Sequence, residues 1–357
     1  MNEVLREDFN DIYNDINIDF NLFNNKTILV TGATGFIGSL IIKYLLYLIV
    51  EKAINIKIIV TARNKSKLES IFSNTDISKM QVFIGDLTDC DFATDFTDTI
   101  KSKVDYIIHT AAITASKEMI TKPIETVLLS IYGTNSILKI AALKKISSFV
   151  YLSSMEMYGS FEKNDDSFCT EDDLGYINPL NVRSNYPESK RMCENLCIAY
   201  YSEKNVPVKI ARLSQVFGAG VSSLDNRLYL QIAKSVINKK NITLYTDGLS
   251  EGNYCYSSDA IRALFTLLFY GENGEAYNIV NEDTHCTVLE MANMVFKEIG
   301  HNEIKVIFEK NNINHGFAPK VKLKLSSEKI KQLNWNPKWN LKEMYIRMID
   351  YLENSKK

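Results

Sequence analysis

The chain has no marked excess of charge of either sign. Its 41 Lys and Arg stand against 43 Asp and Glu, a formal net charge of −2. That balance argues against general binding to nucleic acid or to an anionic membrane surface. A disulfide framework is missing too. The six cysteines (Cys90, Cys169, Cys193, Cys197, Cys255 and Cys286) are scattered through 357 residues. No signal peptide is evident, so reduced thiols in a cytoplasmic protein are expected. Cys193 and Cys197 share a helix face at i, i+4, but no second Cys/His pair stands at ligand spacing. Packing is therefore their expected role, and no metal site is expected. No apolar run is long enough for a membrane span: Phe36 to Val50 is strongly apolar, yet it holds Lys43 and falls short of the ~20 residues required. Repeats and low-complexity tracts are absent. An apolar fraction of 46% leaves ample core for one large domain or two closely joined ones.

Against this even background, the segment Ile28-Leu29-Val30-Thr31-Gly32-Ala33-Thr34-Gly35-Phe36-Ile37-Gly38 stands out. A short apolar run leads into three glycines spaced three apart and then into an apolar helix start. Gly32 permits a tight turn, Gly35 lets phosphates approach the backbone, and Gly38 lets the helix pack on the strand. Free amides and the positive end of the helix dipole then hold a pyrophosphate. About 150 residues on, Tyr186-Pro187-Glu188-Ser189-Lys190 places a phenol and an ammonium on adjacent turns of one helix face. Together these two features point to a nicotinamide-dependent enzyme.

The remaining pattern supports an α/β fold. Residues 1–25 are polar and aromatic, with Phe9, Ile12, Tyr13, Ile16, Ile18 and Phe20 at roughly helical spacing. They read as an extension packed on the body. Near-continuous apolar runs at 27–31, 57–61, 81–84, 104–108, 148–152 and 207–213 alternate with helical stretches, as expected for strands buried on both faces of a parallel sheet. A doubly wound Rossmann sheet follows. It is expected to span 26–216 and to receive about 255–282. A smaller mixed α/β substrate domain is expected from 217–254 and 283–357, ending in a helix near 341–354.

A tyrosine with a pKa of ~10 is a poor acid or base at neutral pH. A lysine one turn away lowers that pKa and can hold the nicotinamide ribose. The strand Val150–Ser154 ends in hydroxyls and a carboxylate, Ser153-Ser154-Met155-Glu156. Ligands of open α/β sheets bind beyond the carboxyl ends of strands, which places Ser154 beside Tyr186 on a substrate oxygen. Glu156 is either a general base toward a sugar carbon or a local turn partner.

The chain resembles the extended short-chain dehydrogenase/reductases, the epimerase/dehydratase group acting on nucleotide sugars. The likeness covers about 26–350. It rests on TGATGFIG (Thr31–Gly38), Gly85-Asp86-Leu87, His109-Thr110-Ala111-Ala112, Gly133-Thr134, SSMEMYG (Ser153–Gly159), YPESK (Tyr186–Lys190), ARLSQVFGAG (Ala211–Gly220) and Leu333-Asn334-Trp335-Asn336-Pro337. It implies a homodimer through a four-helix bundle and a catalytic set of Ser154, Tyr186 and Lys190, with Glu156. It also implies cofactor contacts from Gly32, Thr34, Gly35, Phe36, Ile37, Gly38, Asp86, Leu87, Ala111 and Ala112, with Asp86 and Leu87 at the adenine. Ser154, Met155, Gln215 and Arg227 are expected to meet the substrate.

Departures from the family pattern carry information about the reaction. Arg63 stands where NAD-preferring relatives have an acidic residue, with Lys65 and Lys67 near. A guanidinium there would meet a 2′-phosphate, so NADP(H) is expected over NAD(H). Met155 replaces the acid of glucose dehydratases. Gly252 stands where nucleotide-sugar relatives clamp the diphosphate with arginine, and Gln215 and Ala219 replace Asn and Pro. Arg227 and the alternating Lys320, Lys322 and Lys324 are either phosphate ligands or a solvated edge. These departures lead to the expectation of net NADPH-dependent reduction of a ketone on a phosphorylated or nucleotide-activated sugar, for surface polysaccharide assembly. The alternatives are a nucleotide-sugar 4,6-dehydratase, decarboxylase or 4-epimerase with Glu156 as base, and a non-catalytic cofactor-binding regulator.

Overall fold

A computed structural model describes residues 1–73, 75–161, 167–300, 304–309 and 322–355. The strands in chain order are β1 (Lys26–Thr31), β2 (Ile56–Ala62), β3 (Met80–Ile84), β4 (Tyr106–His109), β5 (Ser148–Ser154), β6 (Val208–Leu213), β7 (Gln215–Phe217), β8 (Ile242–Leu244), β9 (Glu251–Tyr256), β10 (Glu275–Ile279), β11 (Asn281–Thr287) and β12 (Val306–Phe308). Seven of them form one sheet in the order β10-β6-β5-β4-β1-β2-β3, every pair parallel. The Ile/Val-rich strands are buried throughout because both faces are covered: Leu29, Ile59, Ile107 and Phe149 join one apolar cluster, and Ile28, Val30, Ile58 and Val60 join the other. The strand order reverses between β1 and β4, and a crevice opens at such a switch point beyond the strands' carboxyl ends. Thr31 pairs with His109 there, and Ser154 with Leu213.

A second sheet has the order β11-β9-β7, and β12 pairs with β8 alone. The closing helix Leu341–Asn354 starts at a capping box of Asn340 and Glu343, which satisfies two first-turn amides reciprocally. Among the described residues, one helix, Pro123–Lys144, is long and apolar enough to cross a membrane. Over half of that stretch is buried, and it packs beside Phe92–Thr99 and Asn185–Lys204. Cys193 and Cys197 are fully buried in the core, Cys193 donating to the Ser130 carbonyl at 3.2 Å.

The N-terminal extension is integral to the core. Helix Glu3–Tyr13, capped by Asn2, buries Phe9 and Ile12, and the following turn buries Phe20 and Phe23. Phe23 meets Tyr106, Phe265 and Phe269 edge-on with ring centroids 4.8–5.7 Å apart. Two buried ion pairs tie the extension down, Asp8 with Arg347 and Asp15 with Arg262, each at 2.7 Å. Ile16 departs from the expected apolar spacing and is 97% exposed, because the helix stops at Tyr13.

Phe23→Ala should lower unfolding stability by ~3–5 kcal/mol, the usual cost of deleting a buried aromatic ring. Urea denaturation checks this; a cost below ~1 kcal/mol would mean that the extension is not part of the cooperative core.

Candidate active site

The glycine turn has the form that its sequence requires. Gly32 sits at φ +67°, where L side chains are strained, and a Cβ there would lie 2.5 Å from Thr110 Oγ1. A Cβ on Gly38 would lie 2.3 Å from the Gly32 carbonyl oxygen, so helix and strand touch through backbone alone. Gly35 caps helix Phe36–Glu51 without any side-chain hydrogen bond, and the first-turn amides keep their capacity for an anion. Thr34, Phe36 and Ile37 are half-buried around this turn, and Ala111 and Ala112 follow β4 across the crevice. The cradle fits a dinucleotide pyrophosphate. His109 braces it from below, bonded to Thr31 Oγ1 at 2.7 Å and Thr134 Oγ1 at 3.1 Å. Burial pulls its pKa down to about 3, with Lys190 adding to the effect, so the ring stays neutral.

Farther along the crevice, Arg63 and Asp86 share a rim. Arg63 Nη1 lies 3.3 Å from Glu125 and 3.8 Å from Asp86. Burial works to raise the Asp86 pKa, but hydrogen bonds from Thr88 and the Arg63 charge outweigh it and hold the carboxyl below its usual range. The NADP(H) expectation rested on an open guanidinium, and here that guanidinium faces two carboxylates. Leu87 is buried in the adjoining core.

At the other end, β5 and helix Asn185–Lys204 bring the reactive groups together. Tyr186 and Lys190 are both buried. Lys190 Nζ donates to the Leu152 carbonyl at 2.6 Å and lies 5.7 Å from the centre of the Tyr186 ring. Burial lowers the Lys190 pKa to about 8, partly offset by Cys193, Glu194 and Cys197. Burial pushes the Tyr186 phenol well above its ordinary value and Glu156 adds to this, while the Ser154 hydrogen bond, Arg183 and Arg227 pull it back. The expected depression of the phenol by Lys190 is therefore not the governing interaction; desolvation is. Ser154 accepts the Glu156 amide at 3.2 Å and caps the turn Met155–Tyr158.

The hydroxyl, not the carboxylate, is thus the local turn partner. Glu156 instead takes Arg183 at 2.9 Å. Arg183 carried no motif and lies in the polar loop before the helix. Its only advance signal was its place three residues ahead of Tyr186. Arg227, joined to Asp225 at 2.5 Å, lies close enough to Tyr186 to lower its pKa. Met155 opens the turn that Ser154 caps, whereas Gln215 is exposed on the smaller sheet, level with Tyr254. Gly252 is open: a Cβ there would meet nothing within 4 Å. Lys322 is exposed and Lys324 half-buried, its ammonium over the Phe168 ring; Lys320 lies outside the described residues.

The sequence profile of the NAD dependent epimerase/dehydratase family matches residues 28–280. The chain belongs to that family. The chain is 29% identical over 328 residues to UDP-glucuronic acid decarboxylase 1 of Arabidopsis thaliana, covering 92% of this chain and 70% of the relative. It is 27% identical over 338 residues to human dTDP-D-glucose 4,6-dehydratase, covering 92% and 91%. Among solved structures, UDP-glucuronic acid 4-epimerase from Bacillus cereus, in complex with UDP-glucuronic acid and NAD, superposes with a TM-score of 0.74 at 24% identity, over 92% of this chain and 99% of that one. The family member is a nicotinamide-dependent enzyme with a Rossmann sheet.

Gly38→Ala should weaken NADH binding by about 10-fold or more, equivalent to ~1.4 kcal/mol, whereas Gly252→Ala should leave it unchanged. Fluorescence titration of bound NADH distinguishes the two; equal affinities in both variants would disprove the reading of the turn.

Proposed function

We propose that this enzyme modifies a nucleoside-diphosphate sugar through transient oxidation of a ring hydroxyl, with its cofactor regenerated in each turnover. The observation that carries the reading is Glu156: its carboxylate is a third exposed, in the turn that Ser154 caps, and near enough to raise the Tyr186 phenol, a group that plain ketone reduction would not need. The relatives support the same reading, since those named above are a decarboxylase, a dehydratase and an epimerase. Net reduction, favoured from the motif departures, has no such support.

A bound nicotinamide supplies the hydride acceptor, and later the donor, at the sugar carbon. Tyr186, as the phenolate that the nearby Arg183 and Arg227 charges favour, takes the hydroxyl proton, Ser154 holds the oxygen, and Lys190 fixes the ribose end while anchored to Leu152. Glu156 then removes the proton from the carbon beside the new carbonyl and passes it to the hydroxyl one carbon farther on, which leaves as water; return of the hydride to that last carbon would complete the balance. This is 4,6-dehydration. A second reading, decarboxylation of a nucleotide-linked uronate, draws on Met155: loss of carbon dioxide from a β-keto acid needs no acid for a leaving hydroxyl. The cofactor is NAD(H), because a 2′-phosphate would have to enter between Arg63 and its two carboxylate partners. Exposed Ile124, Tyr132, Leu143 and Met192 along Pro123–Lys144 and Asn185–Lys204 support a homodimer through those helices, and the proposed role is in glycan assembly in the cytoplasm.

Tyr186→Phe should keep the fold and NADH binding yet lose ~10²–10⁴-fold in turnover, the usual worth of general acid–base catalysis. Turnover of UDP-glucose, UDP-glucuronate or dTDP-glucose in deuterated water should put deuterium beside the reacting carbonyl, and Glu156→Gln should cut that incorporation ~10²-fold or more. Stoichiometric NADH consumption without deuterium would restore the reductase reading. For the cofactor, NADH should bind more tightly than NADPH, and Glu125→Gln should narrow the gap; a parent enzyme preferring NADPH would return Arg63 to its expected role.

A further inference from the structure

We propose that Arg183 is the positioning residue for Glu156: its guanidinium holds that carboxylate in the turn after β5 and balances its charge against Tyr186. The proposal rests on the reading of Glu156 as a base. Arg183 lies in the short turn Val182–Ser184, capped by Asn181, whose Oδ1 accepts the Arg183 amide at 2.9 Å. Its Nη2 bridges both carboxylate oxygens of Glu156, at 3.1 and 2.9 Å.

A purely structural arginine would be saturated by its surroundings, and Arg212 shows what that looks like. Its Nε, Nη1 and Nη2 all donate, to Glu194, the Tyr158 hydroxyl and the Glu171 carbonyl. Arg183 is almost equally buried, but its Nε has no partner among the described residues, and Glu156 is its ion-pair partner. Burying a guanidinium with a donor unmet costs free energy, so the arrangement calls for a compensating role in the site. The charges around Tyr186 supply one. Glu156 raises the phenol's pKa, Arg183 and Arg227 lower it, and Arg227 already has Asp225 as partner. Removing Arg183 leaves the Glu156 charge uncompensated beside a buried phenol. The pair also joins two elements: Glu156 follows β5, whereas Arg183 precedes helix Asn185–Lys204. The guanidinium therefore sets the distance between base and phenol.

The test is a double-mutant cycle on deuterium incorporation from solvent into the nucleotide sugar, with NADH affinity measured alongside. Arg183→Gln should lower incorporation about 10-fold or more, the equivalent of one charge-assisted contact, with NADH affinity unchanged. Arg183→Lys should recover part of that loss. Arg183→Gln combined with Glu156→Gln should be no worse than Glu156→Gln alone. Multiplicative losses in the double variant, or incorporation in Arg183→Gln within twofold of the parent, would overturn the assignment. If Glu156→Gln alone keeps full incorporation, the base reading fails instead. A crystal structure of Arg183→Gln reads the positioning without any substrate: a Glu156 side chain that has left its place in the turn Met155–Tyr158 supports it, and one left in place refutes it.

Discussion

The site depends on the seam between β5 and the helix Asn185–Lys204. Tyr186, Lys190 and Glu194 follow one another at i, i+4 and i+8 and so share a helix face. Lys190 donates to the Leu152 carbonyl, Glu194 accepts from Ser153 Oγ at 2.5 Å, and Arg212 from β6 grips Glu194 through Nε and Nη2. These charges are buried. Their stabilising value depends on complete pairing, because a lone buried charge costs several kcal/mol. The register that satisfies them also brings the Tyr186 phenol opposite Ser154. Catalytic geometry and core electrostatics are thus the same set of contacts, made along one face of the helix.

The nucleotide end obeys a steric constraint instead. Gly32 and Gly38 leave no room for a methyl group, and Thr110 fills the remaining space by donating to the Thr31 carbonyl at 2.7 Å. The turn is therefore rigid before any ligand arrives, which reduces the ordering cost of binding. Between the two ends runs the switch-point crevice of the sheet, between β1 and β4.

Much of this was legible in the sequence because the signals are local. Buried parallel strands read as unbroken Ile/Val runs, and β1, β2, β3, β5 and β6 lie within a residue or two of the expected spans. The glycine spacing and the Tyr186/Lys190 pair are equally local. What escaped is set by three-dimensional partners. Arg183 sits in a polar loop with no periodicity, and nothing near it in sequence announces Glu156, which lies 27 residues away. Arg63 looked like an open cation because Glu125 approaches it from a distant helix start. The lysine's effect on Tyr186 was overestimated, since sequence spacing shows a neighbouring charge but not the depth of burial. Ile16 fitted a helical pattern that ends three residues earlier.

The account turns on whether hydride leaves the sugar and returns to it within one turnover. The most direct measurement follows a nucleoside-diphosphate sugar deuterated at the ring carbon that is to be oxidised, with catalytic rather than stoichiometric cofactor. Internal return predicts that the label stays in the sugar product and that the cofactor pool remains unlabelled and undepleted. Label accumulating in free NADH, or product formed only as NADH is consumed, would contradict it.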